Sequence, residues 1–348
     1  MKKRVFFIAP KIANIYLDVI AELERQNYEV DYYEYKSYKN DPHNLKGHRK
    51  YGRMFTPIAP FEKMIKNVWE QVLNTPPYNK TYDYLFVIDG DSLHPILFST
   101  LKARNPQIKM INYLFDSTRG NYEFDVHFKF FDKVATFDIA DSKRHGIDLL
   151  PIYWIQEKGV GTQELDFFGL GAYIPDRFNL FSVLDEYSNK HNLNSFIKIF
   201  SPVILNEQKH KWKRRIIELI SAKSCMIPLN HYHSKIVTHE SMSTSTYRQN
   251  ILNSKIVLDS NAPEQDGLTA RFMWALGAER KIITTNKAIK QYDFYTPEQI
   301  FVVEDISSLL NNCHLDNFVH SKYLMPEEIR LKILEFRIDH WIRRLFEN

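Results

Sequence analysis

The chain is short of several features, and each absence removes a class of protein. It has two cysteines, Cys225 and Cys313, in 348 residues. They make no disulfide framework and lack the spacing of a thiolate metal site, so a reducing, cytoplasmic setting is expected. Long apolar runs are missing too. The start, MKKRVFFIAP, has basic residues but only a short apolar run before Pro10. That is too little for a secretory leader, and no later window approaches the ~18 apolar residues of a spanning helix. GxSxG, HExxH, a Walker loop and CxxC are absent, which leaves hydrolase, zinc-protease and P-loop readings without support. The first strand is followed by APKIAN instead of GxGxxG, so it does not open a fingerprinted dinucleotide domain. Strong charge is lacking as well. A formal net charge of +4 and a pI near 8.7 are too mild for a nucleic-acid protein. They suit an enzyme working on anionic donors or beside an anionic membrane surface.

What is present is globular. The chain is 44% apolar and 25% charged, enough for a sizeable core. Its length suggests two domains. Aromatics reach 14%, which fits large cores before sugar-stacking surfaces.

The first third alternates strands (5–9, 28–35, 84–88, 108–115, 133–137 and 147–153) with helices (11–26, 62–73 and 93–103). A polar stretch, 38–60, reads as a long loop carrying Arg49 and Arg53. A shift to polar residues with Gly159 and Gly161 marks a boundary. A second series follows, with strands at 166–173, 196–200, 255–258, 281–285 and 300–303. Helices are expected at 177–189, 207–222, 246–252, 267–276 and 306–311, and one long helix at 326–346. The expected domains are 1–158, 164–322 and a terminal helix, 323–348, packing back on the first. Strands separated by helices predict an α/β fold of two doubly wound parallel domains facing across a cleft, with ligands at the carboxyl ends of the strands.

The stretch DGLTARFMWALGAERKIITTN, from Asp266 to Asn286, carries the clearest chemistry. A strand ends at Asp259, a loop follows, and a helix is predicted from Leu268. The first N–H groups of that helix have no internal partner and its dipole favours an anion, most naturally a phosphate. Arg271, one turn in, adds a forked cationic contact, and Gly267 lets backbone approach closely. A plain loop with a solvated arginine is the competing reading.

Acids stand at other strand ends. Asp116, in YLFDS, would serve as general base on an acceptor hydroxyl or as a helix cap. Asp89 and Asp91, in VIDGDS, would bind sugar hydroxyls or simply make a turn; the pattern is too weak for a metal site, and none is expected. Asp138 and Asp141 start a helix. His231, His233 and His239 lack further ligands for a metal. The basic run KHKWKRR (209–215) is a solvated helix face or a contact with anionic lipid.

The run from Asn253 to Tyr295, with IFVVED after it, resembles a bacterial lipopolysaccharide and capsular polysaccharide glycosyltransferase family of GT-B fold. The shared pattern is a strand ending in Asp, QxGLTxRxxEAL, KxIITTN and DFY, matched here at Asp259, Gln265, Gly267, Leu268, Thr269, Arg271, Lys281, Asn286 and Asp293. INYLFDS and FDKVATFDIADSKRHGIDLLP carry the likeness into the first domain. The resemblance implies transfer of a sugar from a nucleotide-sugar donor to a surface glycan or lipid-linked glycan, with no cofactor or metal for the transfer step. Gly267, Leu268, Thr269, Arg271, Asp259 and Glu264 would hold the donor. Asp116 and Asp89 would be catalytic, and Asp91, Arg49 and Arg53 would hold the acceptor. The setting implied is cytoplasmic, with peripheral contact to the inner membrane. One departure stands out: the family's Glu in RxxEAL, which often holds the donor ribose, is Trp274 here, as a core residue, with Glu264 a substitute from the loop. The other readings are a nucleotide-sugar epimerase of the same architecture and a catalytically inactive sugar-nucleotide-binding subunit.

Overall fold

Val5–Ala9 and Tyr84–Ile88 are unbroken apolar runs, the pattern of parallel strands covered on both faces. In the computed structural model, which describes residues 2–11, 14–34, 58–90, 92–120, 124–155, 161–201, 231 and 233–347, both runs lie at the centre of a sheet. The chain divides into two compact units, Met1–Ile152 with Ile338–Asn348, and Tyr153–Arg337.

The first unit holds β1 (Arg4–Ala9), α1 (Ile15–Arg25), β2 (Glu29–Glu34), α2 (Ile58–Asn74), β3 (Tyr84–Ile88), α3 (Pro95–Arg104), β4 (Lys109–Leu114), β5 (Lys133–Thr136), α4 (Ile139–His145) and β6 (Asp148–Leu149). All strand pairs are parallel, in the order β2-β1-β3-β4-β5-β6. Trp69 and Leu73 of α2 and Leu97, Phe98 and Leu101 of α3 bury against Phe6, Ile8, Leu85 and Val87 of the sheet.

The second unit holds β7 (Leu165–Ala172), α5 (Pro175–Lys190), β8 (Ser195–Phe200), β9 (Val237–Thr238), α6 (Thr244–Leu252), β10 (Ser254–Asp259), α7 (Ala270–Gly277), β11 (Lys281–Thr284), β12 (Ile300–Val302), α8 (Cys313–His320) and α9 (Glu327–Leu334). Its sheet is again parallel, in the order β12-β11-β10-β7-β8-β9. Phe181, Leu184 and Tyr187 of α5 pack on Phe167, Ile197 and Leu258, with Leu315 and Phe318 of α8 in the same cluster.

Three departures from the sequence expectations have physical causes. The long terminal helix is broken into α9 and α10 (Ile338–Phe346). At the break, Trp154 meets two carbonyls: its indole Nε1 donates to Ile333 O at 2.8 Å and its backbone N to Phe336 O at 3.0 Å. The first unit resumes at Ile338, so 323–337 goes with the second unit. There Trp341 is fully buried, edge-on to Tyr113 at 4.7 Å, with its Nε1 donating to Pro151 O. The helix α8, not anticipated, is capped at its start by Asn312 and at its end by Lys281, whose ammonium donates to the Phe318 and Ser321 carbonyls. The strand expected at 147–153 shrinks to the two residues of β6, an edge pairing only with β5. The loop at 38–57 and the helix at 207–222 lie outside the described residues.

A candidate anion site and a carboxylate cluster

In the second sheet the chain winds outward from β7 through β8 to β9, then returns to β10 and winds the other way. The order therefore reverses between β7 and β10, and the carboxyl ends of those two strands form the place where open α/β sheets bind ligands. Arg177, in the first turn of α5, is 7% exposed and ties the two strand ends together. Its Nη1 donates to Ala172 O at 2.7 Å, its Nε to Ser260 Oγ at 2.9 Å and its Nη2 to Ser260 O at 2.7 Å.

Asp259 ends β10 and has no exposed surface. Thr269 Oγ1 donates to its Oδ1 at 2.7 Å and Thr284 Oγ1, from the next strand, to its Oδ2 at 3.1 Å. Arg271 Nε lies 3.5 Å from Oδ1, an ion-pair contact too long for a good hydrogen bond, while its Nη1 donates to Leu258 O at 3.3 Å. No described residue accepts from Arg271 Nη2. Asn286, after β11, fixes the approach to the helix: its Nδ2 donates to Gly267 O at 3.0 Å and to Asp266 O at 3.3 Å.

Two guanidinium groups, Arg177 and Arg271, lie near the buried Asp259 carboxylate, and Arg271 makes the ion-pair contact. Burial pushes the Arg177 guanidinium down to about 9, with Arg271 pressing the same way and Asp259 opposing. A guanidinium resists deprotonation in proteins, so the shift reports chiefly the cost of burying this charge. Two cationic side chains at a switch point, beside a helix start, make this the candidate anion site.

The structure corrects several placements. The helix begins at Ala270, not Leu268; Thr269 is its cap, accepting the Phe272 N–H at 3.1 Å. Leu268 is buried core. One of the four free helix N–H groups is thereby used, and those of Ala270 and Arg271 head the helix. Asp259, expected to touch the donor, is buried and bound on both oxygens; it positions Thr269 and Arg271 instead. Glu264 sits partly exposed in the loop before the helix. Trp274 is partly exposed and lies beneath Arg248, 4.3 Å from guanidinium to ring, edge-on to Tyr247. Arg177 and Ser260 escaped the sequence reading, and Asn286 entered it only as part of the shared pattern. The arginine follows Pro175 in a helix first turn, the same signal that marked Arg271.

In the first unit the reversal lies between β1 and β3, and Asp89 follows β3. It is 4% exposed with φ 61°, and Gly90 beside it has φ 103°, where a Cβ would lie 2.8 Å from Leu93 Cδ1. Asp89 Oδ1 accepts the Phe115 N–H at 2.7 Å and the Asp116 N–H at 3.2 Å. Asp89, expected to be catalytic, is thus a buried latch that shapes the chain after β4. Asp116 is half-buried on that shaped segment. The next residues are pinned to α4. Thr118 donates from N and Oγ1 to Asp141, both at 2.6 Å, and meets His145 Nε2 at 3.1 Å. Arg119 Nη2 bridges both oxygens of buried Asp138 at 3.0 Å, and Asp138 caps α4 through the Asp141 N–H. Because Thr118 spends its hydroxyl proton on Asp141, His145 donates through Nε2.

Asp91, Arg49, Arg53 and the basic run 209–215 lie outside the described residues. Among the described residues no cluster of His, Cys, Asp and Glu could hold a metal, and no helix is long and apolar enough to cross a membrane. His231 stacks on Phe178 at 4.1 Å and His239 meets Ser201 O at 2.8 Å, so the two have separate partners.

No family model matches the chain, and no curated protein is similar to it. Solved structures are. A trehalose-6-phosphate synthase superposes with a TM-score of 0.59 and 10% identity, over 99% of this chain and 98% of that one. A UDP-forming α,α-trehalose-phosphate synthase from Burkholderia xenovorans gives 0.57 and 10%, with 99% and 98% covered. A trehalose-6-phosphate synthase studied with bisubstrate glycomimetics gives 0.58 and 11%, with 99% of each chain covered. These are GT-B proteins, and at such low identity the likeness concerns the fold: two parallel six-stranded sheets, each with flanking helices.

Proposed function

We propose that the chain is a glycosyltransferase moving a sugar from a nucleotide-sugar donor to a glycan acceptor. The observation that carries this reading is the pair of guanidinium groups, Arg177 and Arg271, at the second switch point beside the start of α7. A nucleoside diphosphate is the anion such a place takes in an open α/β sheet. In the transfer, the bond between the anomeric carbon and the diphosphate oxygen breaks, and charge builds on the departing diphosphate. Arg271 and the first N–H groups of α7 stabilise that charge where it develops. Asp116 is the group we assign to the acceptor hydroxyl, as base or as positioning contact. The bacterial surface glycan as acceptor, and a cytoplasmic, membrane-peripheral setting, rest on the motif resemblance alone.

A thermal-shift screen with UDP, GDP, CDP, CMP and dTDP tests the donor site. A nucleotide at about 100 times its dissociation constant stabilises by about 2.7 kcal/mol. One nucleotide should raise the melting temperature of the wild type and fail to do so in Arg271→Ala; UDP is the first to try, since structural neighbours are UDP-forming. Product analysis with the matching sugar nucleotide then separates a new glycoside from an isomerised donor and from binding without turnover. No stabilisation by any nucleotide would defeat the reading.

A further inference from the structure

The two arginines of the anion site are held in different ways. Arg177 donates to Ala172 O, Ser260 Oγ and Ser260 O, three neutral acceptors at the ends of β7 and β10. Each of its nitrogens thus spends a donor on the walls of the crevice, and the residue is 7% exposed. The sequence reserves the space for it. Gly171, next to last in β7, would carry a Cβ only 2.9 Å from Arg177 Cδ and 3.0 Å from its Nη1. Any larger residue there would push the guanidinium off its three acceptors.

Arg271 is held loosely. A guanidinium and a carboxylate normally close to about 2.7–2.9 Å, often through two bonds. Here Nε stops 3.5 Å from Asp259 Oδ1, and Nη1 makes a long bond, 3.3 Å, to Leu258 O. The Asp259 oxygens are meanwhile fixed by the Thr269 and Thr284 hydroxyls. Arg177 bears on this pair. Burial lowers its guanidinium most and Arg271 lowers it further, while Asp259 and Tyr247 raise it. The two guanidiniums therefore repel each other and compete for one carboxylate. Arg177 is tied by three bonds, so Arg271 is the one that yields.

We propose that Arg177 is a positioning residue of the anion site: it keeps Arg271 from closing onto Asp259 and so leaves Arg271 available to the diphosphate. The identity of the anion rests on the donor reading above; the action of Arg177 on Arg271 does not. Gly171 belongs to the same device, since it alone lets the Arg177 guanidinium lie against β7.

Two measurements on the full chain test it: isothermal titration with UDP, and proton NMR of the arginine Nε–H groups without ligand. Arg177→Met removes the charge, Gly171→Ala keeps every charge but displaces the guanidinium, and Arg177→Lys keeps a cation. The first two should each weaken UDP binding at least tenfold and Arg177→Lys less. Arg271 Nε is buried, which shields its proton from solvent exchange. Its resonance, identified by its loss in Arg271→Ala, should move downfield in Arg177→Met as the bond to Asp259 closes. An unmoved resonance overturns the proposal, as does undiminished UDP binding to Arg177→Met, or Arg177→Lys binding as weakly as Arg177→Met. If the wild type binds no UDP, the donor reading loses its first nucleotide, and the ligand-free resonance still decides the role of Arg177. Should Arg177→Met not fold, Gly171→Ala takes its place in both measurements.

Discussion

Three side chains converge on the Asp259 carboxylate: two threonine hydroxyls from different elements and the Arg271 guanidinium. Because the carboxylate is fully buried, its charge is tolerable only with these partners. Removing that charge leaves the Arg271 guanidinium without its carboxylate partner. Asp259→Asn should cost about 3–5 kcal/mol, seen as a lower urea midpoint for the second unit. Thr284→Val deletes a neutral donor and should cost only about 1–2 kcal/mol. Asp259 therefore reads as a residue that holds Arg271 ready, and nucleotide binding should fall in Arg271→Ala with far less loss of stability than in Asp259→Asn. If the two variants lost equal stability, Arg271 would be a structural partner first and a ligand contact second.

Among the elements, α3 carries a pH signature. Its cap is His94, whose Nδ1 accepts the Ile96 N–H at 3.1 Å, and Pro95 fits the first turn. Burial pushes the imidazole below its ordinary value, and Lys66 adds to the effect. The folded chain thus holds this proton less readily than the unfolded chain. The cap's contribution is complete above the unfolded value of about 6.5 and is lost as the pH falls through the lower folded value. His94→Ala should cost about 1 kcal/mol at neutral pH, and the difference from the wild type should shrink as the pH falls below about 6.5. Urea titrations at neutral and acid pH check this; a difference that persists in acid would refute the cap. The helix α7 shows the same local logic in another form. Thr269, Ala270 and Arg271 were legible as a helix start, but the hydroxyl cap moved that start two residues on.

For the whole molecule, α10 is what completes the first unit. Trp341, Ile342 and Leu345 are buried there, and the indole edge meets Tyr113 and Phe86. Trp341→Ala should destabilise the first unit by about 3–5 kcal/mol. Calorimetry reads this as a lowered transition for one unit and an unmoved transition for the other, since two units need not melt as one. A single shifted transition would show instead that the units unfold together.

The sequence by itself determined the α/β class, both parallel sheets, most strand positions and the helix start after Asp259. Those features are local: apolar runs of strand length, helical spacing between them, a threonine and an arginine at a helix start. Tertiary structure decided the rest, because partners distant in sequence were required. Arg177 and Ser260 meet across 83 residues, Trp154 and Ile333 across 179, and Gln26 and Asp339 across 313. At the break between α9 and α10, Trp154 donates to the Ile333 and Phe336 carbonyls. Asp89 and Asp259 looked like ligand contacts because an acid at a strand end has that pattern. They proved to be buried supports because only the folded neighbours show which oxygens are already bound.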